Sequence, residues 1–334
     1  MMGRKIDLLV MGVLALSVGL SVAGCGGIQV SLLPDRAKPL KEQVLEGTGT
    51  GKVLVIPVYG TISDAPRKGM LSRGPSLVEE VVAQLRMAER DPEIKAVVLK
   101  ISSPGGGATA SDFIYQELLA FKEKKKAKVF VMMMSLAASG GYYIALPADM
   151  IWANATTVTG SVGVIFLRPD LTGLMDKIGL GVEVNKSGRN KDMGAPWRAV
   201  TAEEKEVFRG LSDRMGARFL SLVAQHRKLD AEQLAEVGSA RVYLAEEALA
   251  LKLIDRIGYL PEALAEAKKQ TGLPENAKVI AYRRAPARDT HIYSLSGEEA
   301  GAGQAALIDL PFSELAAALQ PGFYYLWAPG LGGD

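Results

Sequence analysis

Between residues 53 and 282, apolar positions come in short runs that alternate with segments of helical spacing. Residues 53–58, 94–101 and 129–134 are dense in Val, Ile, Leu and Met and end at turn-forming or polar stretches. Such runs read as buried strands. Leu77, Val81, Val82, Leu85 and Ala88 follow helical spacing, and Asp91-Pro92 stops that helix. A second helix is expected over residues 111–124, with Phe113, Leu118 and Phe121 on one face. Lys124, Lys125 and Lys126 at its end suit the negative pole of the helix dipole. Residues 149–153 read as a fourth, short strand. Strand, helix, strand, helix in succession predicts an α/β fold with mostly parallel pairing.

The second half is more helical. Residues 174–178 form an expected short helix stopped at Gly179, and residues 182–184 an expected strand. Thr201-Ala202-Glu203-Glu204 is a capping signal for a long helix reaching residue 228. Helices follow at 230–237, 245–251 and 262–271, and a last strand at 279–282. Beyond Arg283 the composition shifts to Pro, Gly and Ala, with an apolar Phe323-Tyr324-Tyr325-Leu326-Trp327 near the end. Residues 284–334 are therefore expected to be a loosely ordered tail.

At the other end, Arg4 and Lys5 precede a nearly unbroken apolar run over residues 8–22, followed by Ala23 and Gly24. This is the pattern of an export signal. Val22-Ala23-Gly24-Cys25 resembles a bacterial lipobox, which implies a lipoprotein-type signal over residues 1–24 and a lipidated Cys25. Either cleavage and lipidation or an uncleaved anchor places the body outside the cytoplasm, attached to a membrane. Gly26 after the cysteine differs from the aspartate of an inner-membrane retention signal. Residues 25–50, with Pro34, Pro39 and several glycines, read as a linker.

Composition narrows the chemistry. Hydrophobic residues make up 48% and charged residues 23%, enough apolar material for a sizeable core. The net charge of +2 gives no global case for nucleic-acid binding. A single cysteine rules out an intrachain disulfide and a Cys-rich zinc site, and two histidines make a His-based metal cluster improbable. No cofactor or metal is expected.

The chemistry-bearing stretch is Ala137-Ala138-Ser139-Gly140-Gly141, where the third strand turns into a helix. A serine there can serve as a nucleophile, because the same turn can supply an oxyanion donor. A tight packing turn is the plainer reading. Gly105-Gly106-Gly107 ends the preceding strand, and in a parallel sheet both turns lie at one edge, where ligands bind. Neither turn has the spacing of a phosphate-binding loop. A serine nucleophile needs a base. His226 sits among Gln225, Arg227 and Lys228 on a helix end, and His291 lies in the tail, so both are weak candidates. Lysine is the alternative base where burial disfavours its charge. Lys186 and Lys191 lie in a polar loop, and spacing alone does not choose between them.

Four blocks carry a resemblance: Ser103-Pro104-Gly105-Gly106-Gly107, Ala137 through Ala145, Thr159-Gly160-Ser161-Val162-Gly163-Val164, and Lys186 through Asp192. In this order they resemble the signature blocks of the signal peptide peptidase A (protease IV) family. Arg241-Val242-Tyr243 and Leu253-Ile254-Asp255 resemble its later blocks, so the likeness covers residues 51–282. The resemblance implies a Clp protease/crotonase-like α/β fold of repeated strand-strand-helix units with C-terminal helices, and a peptidase domain over residues 51–283. It implies a Ser/Lys dyad: Ser139 as nucleophile, Lys191 as general base, Gly106 and Gly140 as oxyanion donors, and Ser161 orienting the lysine. Lys186 and Arg189 keep a structural or solvated reading, as does Ser135; Tyr142 and Tyr143 are read as core and wall. The family has long members with two copies of this unit and short ones with a single copy. One copy here implies a ring-like homo-oligomer whose sites combine Ser139 of one subunit with the lysine of another. The implied activity is endoproteolysis of cleaved signal peptides and other unfolded chains. Rival readings are a crotonase-type acyl-CoA enzyme, disfavoured by export, and a non-catalytic membrane scaffold of the same fold.

Overall fold

Three parallel strands form the middle of the molecule: β2 (Lys52–Tyr59), β5 (Ile94–Ser103) and β7 (Lys128–Ala138). In the computed structural model, residues 38–68, 73–284, 291–294, 321–327 and 329 are described. The three strands read as continuous apolar runs because both faces are covered. Leu54, Ile56, Val97, Leu99, Val129 and Val131 enter one core, against helices α1 (Leu77–Arg90) and α2 (Ala108–Lys125). Their neighbours Val53, Val55, Ala96, Val98, Phe130 and Met132 enter a second core against a helix over Leu260–Gln270. Alternation along each strand, not polarity, divides the two cores.

Around this centre the remaining strands are β1 (Lys41–Glu46), β3 (Arg67–Lys68), β4 (Arg73–Gly74), β6 (Gly105–Gly107), β8 (Met150–Ala153), β9 (Val158–Gly160), β10 (Ile165–Leu167), β11 (Val242–Leu244), β12 (Arg256–Ile257), β13 (Lys278–Arg283) and β14 (Gly322–Leu326). The main sheet runs β1-β13-β2-β5-β7-β8-β12, with β9 pairing the far end of β7 and β11 pairing β9. A second sheet has the order β10-β14-β6. The helices after α2 are α3 (Gly140–Tyr143), α4 (Thr172–Ile178), α5 (Ala202–Arg227), α6 (Ala231–Val237), α7 (Ala245–Ala250) and α8 (Leu260–Gln270). The sheet with its covering helices is the Clp protease-like α/β fold.

Helix boundaries follow local chemistry. Ser76 and Glu79 close a reciprocal capping box at the start of α1, at 3.1 and 2.7 Å. Thr201 and Glu204 do the same for α5, as their spacing predicts, at 3.2 and 2.8 Å.

Four expectations need correction. Residues 41–46, expected within a linker, form β1, paired antiparallel with β13. This edge strand carries Lys41, Glu42 and Glu46, so it shows no apolar run; its backbone ladder and the ion pair of Glu42 with the buried Lys52 hold it instead. Residues 182–184 form no strand, and Val182 and Val184 are exposed. Residues 322–326, expected in a loose tail, form the central strand of the second sheet. The strand β7 runs four residues past its expected end, to Ala138. It changes partners along its length: Phe130 to Met133 pair with β8, and Leu136 to Ala138 pair with β9. The register with β5 shifts between the Ile101–Met133 and Ser103–Ala137 pairs. Thr157 bridges this irregularity through its hydroxyl, at 3.2 Å from the Met133 carbonyl oxygen. The export signal and Cys25 lie outside the described residues. Among the described residues, no helix is long and apolar enough to cross a membrane.

Candidate active site

The strand β7 delivers Ser139 to the junction with α3. Ser139 has φ +52° and ψ −114°, a conformation that L-residues seldom adopt. Its backbone is tied on both sides: its N–H donates to the Gly160 carbonyl at 2.8 Å, and its carbonyl accepts from Tyr143 N–H at 2.8 Å. Its Oγ is buried and has no hydrogen-bond partner among the described residues. A buried hydroxyl left unpaired costs about 1–3 kcal/mol. Strain and an idle hydroxyl at one residue mark chemistry rather than packing.

The β5–β6 turn approaches Ser139 from the side. Gly105 has φ +98°, and a Cβ built there would lie 2.7 Å from the Gly140 nitrogen. The turn is held by Ser103, whose hydroxyl donates to the Gly60 carbonyl at 2.7 Å and accepts from Gly105 N–H at 3.1 Å. On one edge of β6, Ile62 N–H donates to Gly105 O at 2.8 Å and Gly107 N–H donates to Ile62 O at 2.9 Å. Strand alternation therefore leaves Gly106 N–H directed to the opposite edge. Gly140 follows Ser139, and a Cβ there would meet Ser111 Oγ at 2.5 Å. Gly106, Gly140 and Ser139 are thus brought together. Two backbone donors beside a buried serine hydroxyl can stabilise the oxyanion of an acyl-transfer intermediate.

A Cβ on Gly106 would lie 2.0 Å from the Ile62 carbonyl oxygen and 2.6 Å from its nitrogen. Both are backbone atoms, so β6 must shift to accept it. Gly106→Ala is expected to lower kcat by about 10²–10³-fold, as loss of one oxyanion donor does. Steady-state peptide cleavage measures this.

Ser161 lies one residue beyond Gly160, the acceptor of the Ser139 N–H. It also has positive φ, +52°, and its N–H donates to Arg241 O at 2.8 Å. It belongs to the same junction. Lys191 does not join it within this chain. Its side chain is exposed, its N–H donates to Gly188 O at 3.1 Å, and Ser139 Oγ receives no bond from it. The neighbouring cations fit their structural reading: Lys186 pairs with Asp192 at 2.7 Å and Arg189 with Glu203 at 2.7 Å. His226 is bonded to the Tyr115 hydroxyl at 2.9 Å, and the His291 ring accepts from Tyr293 N–H at 3.2 Å; neither contacts Ser139. Tyr142 is core, donating to Leu253 O at 2.9 Å, and Tyr143 donates to Asp112 at 2.6 Å. Among the described residues no group of three or more His, Cys, Asp or Glu could hold a metal ion.

The pattern of residues did not reveal what fixes the Lys191 loop. Arg198 donates to Asp192 Oδ2 at 2.9 Å and to Glu204 Oε2 at 3.0 Å. Hydrogen bonds from Arg198, then from Lys186, hold the Asp192 carboxyl well below its usual range. Arg198 likewise holds Glu204 down at about 2, against an ordinary 4.5, with burial opposing. A depressed carboxyl contributes stability above its unfolded value and loses it as pH falls through the folded one. This clamp is therefore expected to hold above pH 4.5 and to loosen as pH falls towards 2. Thermal unfolding between pH 5 and pH 2.5 should show a smaller pH dependence in Glu204→Gln than in the native chain.

The fold, the buried unpaired hydroxyl of Ser139 and the two glycine turns beside it fit a serine endopeptidase, the class that the relatives show. Residues 120–274 match peptidase family S49, and residues 74–155 match the Clp protease family. The chain is 34% identical over 243 residues to an Enterococcus faecium protein that bears the name signal peptide peptidase SppA, covering 73% of this chain and 70% of that one. A Synechocystis protein named as a protease is 34% identical over 222 residues, 66% of this chain and 75% of its own length. The chloroplastic serine protease SPPA of Arabidopsis thaliana is 35% identical over 234 residues, 69% of this chain, but only 34% of that longer protein is spanned. The chain belongs to peptidase family S49, the signal peptide peptidase A type.

Proposed function

We propose that this chain is a membrane-attached, extracytoplasmic endopeptidase with a Ser139/Lys191 dyad that hydrolyses cleaved signal peptides and other unfolded chains. Its attachment is through a lipidated Cys25, and its working form is a ring-like homo-oligomer. The observation that carries the reading is the unpartnered, buried Ser139 Oγ next to converging glycine N–H groups. Among the described residues no base is hydrogen-bonded to it, while Lys191 stands exposed on a loop clamped by Arg198. Just ahead of that loop in the chain Leu174, Ile178, Leu180 and Val182 are exposed, apolar side chains that a second copy could cover.

In this mechanism the lysine of a neighbouring subunit acts as general base and takes the proton of Ser139 Oγ as it attacks the peptide carbonyl. Gly106 and Gly140 N–H groups receive the oxyanion. The protonated lysine gives its proton to the leaving amine, and water then resolves the acyl-enzyme with the lysine again as base. Ser161 orients the amine. Extended substrates pair with strand edges, so unfolded chains are cut and folded ones spared. The test is incubation of the purified full chain with a synthetic signal peptide. Internal cleavage is expected; an intact peptide after prolonged incubation would overturn the reading.

A further inference from the structure

We propose that Arg198 is a positioning residue of this peptidase: by holding both oxygens of the Asp192 carboxylate, it aims Lys191 at the serine of the next copy and keeps that carboxylate from capturing the lysine amine. The inference rests on the reading of Lys191 as a base that acts on another subunit, and adds the residue that controls it.

Asp192 follows Lys191 directly, so the place of its carboxylate decides where the lysine side chain starts. The Asp192 side chain is 9% exposed. Arg198 Nε donates to its Oδ2 at 2.9 Å and Nη2 to its Oδ1 at 3.0 Å, a two-pronged pairing suited to a guanidinium. Nη2 also donates to the Asp192 carbonyl at 3.0 Å, so Arg198 grips both the backbone and the side chain of this residue. On its other side, Arg198 Nη1 donates to Glu204 Oε2 at 3.0 Å. Glu204 is buried and closes the capping box of α5 with Thr201. Further along the loop, Arg168 donates to the Ala195 carbonyl at 2.7 Å. The loop is thus fastened to the first turn of a 26-residue helix.

The same helix reaches the Ser139 turn. Phe219 of α5 packs against Tyr143 with ring centroids 4.9 Å apart, and Tyr143 N–H donates to the Ser139 carbonyl at 2.8 Å. The stretch of α5 from Glu204 to Phe219 spans about 22 Å at the rise of an α-helix. One element therefore carries the Lys191 loop at its start and braces the Ser139 turn far along its length.

The charges give the grip a chemical consequence. Asp192 is faced by Arg198, by Lys186 at 2.7 Å from Oδ1, and by the adjoining Lys191. Glu204 faces Arg198, while Arg189 pairs with Glu203 and Arg168 with Asp170. Lys186 reaches Oδ1, and Arg198 supplies the donor to Oδ2. Loss of Arg198 opens Oδ2 to Lys191, and an opposite charge at that range holds an amine protonated. A protonated lysine cannot take the serine proton.

The test uses the full chain and a synthetic signal peptide. Arg198→Ala should lower kcat about 10- to 100-fold with KM within about twofold, the pattern of a misplaced catalytic group. The acidic limb of its rate–pH profile should move up by about one unit. Asp192→Asn added to Arg198→Ala should bring the limb back, because the capturing carboxylate is gone. Arg198→Lys, which keeps the charge but not the fork, should fall between the native chain and Arg198→Ala. Coexpression assigns the effect to a subunit. Ser139→Ala chains supply the lysine and Lys191→Ala chains the serine. Arg198→Ala on the first should cut the restored cleavage at least about tenfold, and on the second less than about twofold. Equal loss from either chain, the result of a merely structural role, overturns the proposal, as does an unshifted acidic limb. Should the mixture cleave nothing even with Arg198 intact while the limb of Arg198→Ala is shifted, the shared-site reading falls and Arg198 stands as the positioning residue of its own chain's lysine.

Discussion

Ser139→Ala is expected to lower peptide kcat/KM by about 10⁴–10⁶-fold, the scale of losing a serine nucleophile. It is also expected to raise stability. The Oγ is buried without a partner, so removing it relieves a desolvation penalty of about 1 kcal/mol and opens no sizeable cavity. Ser139→Gly adds a second gain, because φ +52° with ψ −114° suits glycine and strains serine. Each variant should therefore unfold at a higher denaturant midpoint than the native chain while cleaving nothing. A packing residue would behave in the opposite way, losing stability on truncation and keeping activity. Urea unfolding and peptide cleavage on the same preparations separate the two.

Lys191→Ala is expected to cost about 10²–10⁴-fold in kcat, the usual contribution of a positioned general base. The same substitution should leave stability nearly unchanged, since the side chain is exposed while its neighbours Lys186 and Asp192 are the paired ones. The sharper prediction concerns mixtures. A site built from two subunits can combine Ser139 of a Lys191→Ala chain with Lys191 of a Ser139→Ala chain. Coexpression of these two inactive variants should restore a measurable fraction of native cleavage. A site completed within one chain would restore none, because every chain would lack one of its two groups. Titration of the coexpressed mixture against each single variant reads this directly.

The parts of this fold that bury apolar side chains were legible in the residues. The strands β2, β5 and β7 announce themselves because both faces are packed, so apolar residues dominate them with few polar interruptions such as Lys95 and Lys100 in β5. The capping pair of Thr201 with Glu204 placed the start of α5. What the pattern hid was structure held by backbone alone. The strand β6 is three glycines, without a side chain to betray its pairing with Ile62 and Tyr325. An edge strand such as β1 carries charge at half of its residues and is fixed by its ladder. The strand β14 has the aromatic richness of a strand but stands beyond a stretch poor in pattern, so its place between β6 and β10 is a matter of tertiary pairing.

The site was legible in part. Two glycine turns after successive parallel strands predict a shared edge, and Gly105 and Gly140 meet there. Ser139 stood out by its turn, but its unusual backbone could not be read from residue types. The role of Lys191 came from the likeness of its loop to a known block; within one chain the geometry leaves it apart from Ser139. Arg198 escaped notice because its partners Asp192 and Glu204 lie six residues away on either side, across a loop and a helix start.

The most direct measurement is covalent labelling with a serine-phosphonylating probe, followed by peptide mapping. The native chain should carry one adduct, on Ser139; Ser139→Ala should carry none, and Lys191→Ala should react at least about 100-fold more slowly, as expected when the general base is lost. An adduct on any other residue, or labelling of the Ser139→Ala chain at the native rate, would contradict the account.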